Sequence, residues 1–191
     1  MKKRFLSFGA FMIISATLIT ACKKDPVTEV NEEEVITTMI VKLTPNDGDP
    51  VLEYTFNDPD GPGGIAPEQQ EILLAPNKKY DTEIILLNKT VNPVDIISDE
   101  VEEEGEAHRF YLEPTGGVTL TVSDLNKDAN GLPLGLESVW ETGAVSTGKI
   151  QITLRHYPAV PPNKALNDLV NSPKSGTDIE IPNGGFVVKI Q

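Results

Sequence analysis

From Val35 to the end of the chain, apolar residues recur at every second position, and that period decides what the chain can fold into. Val35, Met39, Val41 and Leu43 share one parity. After the turn residues 44–50, Leu52, Tyr54 and Phe56 alternate with Glu53 and Thr55, which predicts a β-hairpin. A Gly/Pro/Asp loop follows over 57–67, then a short strand over 70–74. The strand Tyr80–Leu87 is apolar on both faces at Ile84–Leu87, the mark of a central strand. Residues 88–107 are acidic and irregular, with room for one helical turn near Ile96. His108, Phe110 and Leu112 form the next strand, and Val118, Leu120 and Val122 another. Residues 136–141 and 149–157 read as a hairpin closed by 142–148. A long connection over 158–176 has space for a short helix at 164–170. In the last strand, parity flips between Ile179, Ile181 and Phe186, Val188, Ile190, as a bulge at Asn183-Gly184-Gly185 would make it. Eight or nine short strands with almost no helix predict an all-β fold, an antiparallel β-sandwich of immunoglobulin-like or transthyretin-like kind.

The start of the chain is of another character. Lys2, Lys3 and Arg4 precede a mostly apolar run from Phe5 to Ile19, which Ala21 and Cys22 close. This is the pattern of a secretory signal peptide, and its cleavage site matches a bacterial lipobox. The match implies removal of residues 1–21 and diacylation of Cys22, the only cysteine. The apolar run is shorter than the ~20 residues of a comfortable span. Residues 22–34 then read as a lipidated flexible tether, poor in anything to bury, and 35–191 as the sandwich domain.

Charge and cysteine usage remove several function classes. The chain carries a formal −13, and loss of the leader's three positive charges leaves −16 over residues 22–191. Such a chain repels phosphate backbones, so nucleic acid is excluded as a partner. It also repels anionic lipid, which leaves the acyl anchor on Cys22 as the membrane contact. With Cys22 acylated, no thiol remains for disulfides, a thiolate metal cluster or a cysteine nucleophile.

The sharpest chemical motif is the loop 124–137. Counted from Asn126, a twelve-residue calcium loop would take Asn126, Asp128 and Asn130 at positions 1, 3 and 5, Gly131 at 6 and Glu137 at 12, with Asp124 just ahead. Calcium is the cofactor this implies. Asn, Asp and Gly are also what polar turns use for their own hydrogen bonds, and Pro133 and the flanking strands do not supply the helices of an EF-hand. Residues 57–64 form a second oxygen-rich loop that turn geometry alone explains. Glu104 and Glu106 precede His108, and these with His156 are candidate ligands for a transition metal. Both histidines share parity with apolar strand residues, so each also reads as a strand-end residue. No Gly-x-Ser-x-Gly elbow is present, and the aromatic supply is thin for a sugar platform, so catalytic residues are not expected.

Several segments together resemble a known group. They are Asn31–Thr38, Phe56–Gly64, Leu86–Asn88, Glu103–Tyr111, Asn130–Leu136, Thr153–Pro158 and Gly176–Ile181. The chain resembles small Bacteroidota lipoproteins labelled as having a type 1 periplasmic binding fold. That fold needs repeated βα units, whereas this sequence offers strands without crossover helices. The resemblance implies a place beside TonB-dependent outer-membrane receptors, and so a binding protein accessory to nutrient or metal-ion uptake. The residue after Cys22 is Lys23, not the aspartate of inner-membrane retention, which points to an outer-membrane lipoprotein on the periplasmic or cell-surface face. The other reading is a structural envelope sandwich whose loop 123–137 calcium stiffens. The contact surfaces expected are the loops 57–67, 88–107, 123–135 and 158–176.

Overall fold

The computed structural model describes residues 35–60, 64–176, 179–180 and 184–191. The expected leader 1–21, lipidation site Cys22 and tether 22–34 lie outside the described residues. All described residues fall in one compact unit.

Among the described residues, eleven strands form two sheets and one helix packs beside them. The first sheet takes its centre from β1 (Thr38–Pro45) and β5 (Lys79–Leu87). Beyond β1 lie β2 (Leu52–Asn57) and β3 (Glu68–Gln69); beyond β5 lie β8 (Glu137–Thr142) and β7 (Leu120–Ser123). The second sheet is built on the long β9 (Ser146–His156), with β6 (His108–Thr115) along one edge. Along the other edge run β10 (Ile179–Glu180) and β11 (Phe186–Ile190), and β11 carries β4 (Ile72–Leu74). All pairings are antiparallel except β4 with β11. The protein is an all-β sandwich.

The core follows from the alternation. Met39, Val41, Tyr80, Ile84 and Trp140 of the first sheet join Ile72, Phe110, Ile150, Leu154 and Val188 of the second in one buried cluster. Tyr80 and Trp140 face each other across β5 and β8, and both polar tips are satisfied. The Tyr80 hydroxyl accepts the Ala75 amide at 3.0 Å, and Trp140 Nε1 donates to Ser138 Oγ at 3.1 Å. The helix α1 (Ile97–Glu103) turns Ile97 and Val101, four residues apart, onto β5.

Four expectations about the fold change. The described residues hold eleven strands, because the short β3 and β10 form separate ladders. The segments 136–141 and 149–157 are not a hairpin: β8 lies in the first sheet and β9 in the second. Thr142 ends β8 by accepting the Lys78 amide at 2.9 Å and donating to Ala75 O at 2.7 Å; the chain then crosses over the end of the sandwich at 143–145. Alternation tells which face of a strand is buried but not which strand lies beside it, and both strands bury even-numbered residues in the same core. No helix forms over 164–170; turns and irregular backbone occupy it. The terminal strand is two strands on one edge of β9. Ile179 lies opposite Leu154 and Phe186 opposite Ile150, so seven steps of one chain match four of the other, an odd excess that flips parity.

Candidate functional site

Three of the four expected contact loops meet at one buried ammonium. Lys164, on the 158–176 connection, sends Nζ to Gly105 O at 2.5 Å, to His108 O at 2.7 Å and to Asp128 Oδ2 at 2.7 Å. Two of its protons answer carbonyls, one after α1 and one at the start of β6, and its charge pairs with the carboxylate of Asp128 in the 123–135 loop. Burial opposes ionisation of Asp128, yet Lys164 and the amides of Leu132 and Asn130 outweigh it and hold the carboxyl below its usual range.

The expected calcium ligands are not gathered into a shell. Asn126 Oδ1 accepts the amides of Gly135 at 2.9 Å and Glu137 at 3.1 Å. Asp128 Oδ1 accepts those of Asn130 and Leu132, both at 2.9 Å. Asp124 is exposed and takes a hydrogen bond from the Ser123 hydroxyl, while Asn130 and Glu137 are exposed. Among the described residues no three His, Cys, Asp or Glu side chains are placed to hold a metal ion together. The cation that the loop meets is Lys164, and its oxygens are spent on the loop's own amides.

The four transition-metal candidates divide in two. His108 and His156 do come together: they are cross-strand partners at one end of the β6–β9 ladder, with rings stacked at 5.1 Å and 29°. Glu104 and Glu106 are exposed and complete no ligand group with them. His108 Nδ1 lies 3.2 Å from Glu104 O, which makes it a donor. Burial, with the neighbouring His156 and Lys164, pushes the His108 imidazole down to about 4, so it is neutral at pH 7.

Beside this junction runs an acidic groove that the sequence does not announce. Its wider part, about 290 Å³, has Asp81, Glu83, Asp124 and Glu137 on its walls. A narrower part of about 60 Å³ shares Glu83 and Glu137 and reaches Asp99 and Glu102 of α1. Only Glu83 of these is ion-paired, to Lys42 at 2.7 Å. The register of β5 and β8 sets Glu83 opposite Glu137, a like-charged pair on an open face. The spacing of Asp81 and Glu83 signals an outward face, but the union with 137 needs the strand order.

The 158–176 connection is fastened from below as well. Tyr111 donates its hydroxyl to Asp168 O at 3.0 Å and meets the Tyr157 hydroxyl at 2.9 Å. Lys174 pairs with Asp168 at 2.8 Å. Above these anchors Val160, Leu166 and Leu169 are exposed. No helix among the described residues is long and apolar enough to cross a membrane. Compared with known proteins, no family model, curated sequence or solved structure matches the chain.

Proposed function

We propose that this protein is a lipid-anchored binding protein of the cell envelope, held at the outer membrane through Cys22 and accessory to nutrient or metal-ion uptake. The observation that carries the binding role is the junction at Lys164, which ties the segment after α1 to the loops 123–135 and 158–176. A loop end built this way presents side chains without paying to order them on binding. The surface offers apolar Leu166 and Leu169 on one loop and the carboxylates of the acidic groove beside another. Its complement is a basic protein surface with an apolar centre, and a TonB-dependent receptor is the partner class that the sequence resemblance implies. The lipobox at Cys22 supplies the anchor.

The test is an affinity capture of the lipidated protein from its native membrane after brief crosslinking, with Cys22→Ala alongside. The reading expects an outer-membrane transport protein with the lipidated form, lost on Cys22→Ala and weakened by Leu166→Asp. Recovery of the same proteins from both forms would remove the anchor from the mechanism. Recovery of nothing specific would sink the accessory role.

A further inference from the structure

The chain has three arginines, and two of them stand face to face. Arg109 of β6 and Arg155 of β9 are direct partners in the ladder, on the face turned away from the core and partly under the 158–176 connection. Like charges directly opposite across strands are unfavourable. In a chain of 29 acidic residues each arginine could be expected to find a carboxylate. Among the described residues neither is ion-paired with one.

The polar atoms around them tell the same story. Arg109 gives Nη1 to the carbonyls of Ala165 and Leu166, at 3.2 and 3.1 Å, and lies over the Tyr111 ring. Among the described residues Arg155 reaches only Gly176 O, at 3.4 Å. The Nε of each arginine is buried with no hydrogen-bond partner. So is the hydroxyl of Thr153, fully buried, two residues from Arg155 on the same face. Three unanswered donors therefore occupy adjoining places on one face. Two acids near Arg109 are already engaged, Asp168 by Lys174 and the Ala165 amide and Asp128 by Lys164. Lys164 and Lys174 are each neutralised by an aspartate, which leaves the two arginines as the positive charges without a carboxylate on this part of an acidic protein.

We propose that Arg155, Arg109 and Thr153 form a binding site for an oxyanion, a carboxylate or phosphate group of a small ligand, at the edge of the 158–176 connection. The two planar guanidinium forks suit a group that accepts paired hydrogen bonds, and the threonine hydroxyl adds a third donor. The anion answers the arginine pair and draws the loop down onto β9. This site stands on its own observations and does not depend on the envelope reading.

The test melts the full chain in detergent at constant ionic strength, with chloride replaced stepwise by phosphate or by acetate. At phosphate about fivefold above its dissociation constant, Tm rises by about 2–4 °C. Arg155→Gln and Thr153→Val each abolish that rise. In chloride alone Arg155→Gln melts no lower than the native chain, because the repulsion has gone. The proposal is overturned if neither anion moves Tm, or if Arg155→Gln responds as the native chain does, which marks a general salt effect. It is also overturned if Arg155→Gln and Glu180→Gln both lower Tm in chloride alone. That outcome means the chain answers its own arginines, since Glu180 lies opposite Thr153 in the ladder.

Discussion

Lys164 Nζ lies 2.7 Å from Asp128 Oδ2 with both side chains sealed from solvent, at 1% and 0% exposure. Sealed pairs of this kind fix geometry more than they add stability, and losing one partner strands the other. Lys164→Met is therefore expected to cost about 3–5 kcal/mol by urea denaturation. Lys164→Met with Asp128→Asn should recover much of the loss. If the single change costs under about 1 kcal/mol, typical of an exposed pair, the junction does not hold the loops. Hydrogen exchange should rise together at 104–108, 126–134 and 160–170 in the single variant, since one ammonium serves all three.

The stacked histidines give a pH dependence whose sign is fixed by burial. His108 is 2% exposed and its imidazole is pushed from 6.5 down to about 4. Facing it are His156 and Lys164, both repelling a proton, and the Glu104 carbonyl, which favours one. The unfolded chain takes up this proton below about 6.5 and the folded chain only near 4. Stability therefore falls as pH drops through that window, by roughly 3 kcal/mol in all, and is flat above it for this group. Other carboxyls titrate nearby, so the readout is the difference between the native chain and His108→Phe. A difference that does not change between pH 7 and pH 4.5 would refute the assignment.

How much of this was legible beforehand depends on whether the signal was local. The β1–β2 hairpin, the central β5 and the parity flip before Phe186 are carried by neighbours in sequence, and all are present. The separation of β8 from β9 was not legible, because Trp140 and Ile150 show the same period whether their strands pair or merely share a core. The candidate ligands fared the same way. Asn126 and Asp128 carry the oxygens calcium uses, but the same atoms satisfy amides, and only the tertiary structure brings Lys164 to Asp128 across 36 positions of sequence. The meeting of His108 with His156 rests on a strand pairing that neither strand's own pattern announces.

The glycine offset beside β9 makes a sharp comparison between two positions. A Cβ at Gly185 would lie 2.0 Å from Ile150 O, and its φ of +86° already disfavours a side chain. Gly48, in the β1–β2 turn, has nearly the same φ of +87° but nothing within 4 Å. Gly48→Ala should cost about 1 kcal/mol, the conformational part alone. Gly185→Ala should cost about 3 kcal/mol or more, because the β9 backbone must move as well. Equal costs in urea denaturation would show that β11 is not pressed against Ile150.

Calcium separates a loop that holds itself from one that needs an ion. Asn126 Oδ1 takes two amides and Asp128 Oδ1 two more, so the 124–137 loop is closed by its own side chains. Asn126→Ala removes the side-chain acceptor of the Gly135 and Glu137 amides and leaves buried Gly135 only its long contact to Asn126 O at 3.4 Å, and it is expected to cost about 1–3 kcal/mol. That cost should be the same with a chelator or with about 1 mM calcium, the range in which the weaker protein sites fill. Asp124→Asn with Glu137→Gln, both exposed on the wall of the groove, should change stability by less than about 0.5 kcal/mol. A calcium-dependent rise in Tm that this double variant abolishes would return Asp124 and Glu137 to the role of ligands and make the groove, rather than Lys164, the place where the loop meets its cation.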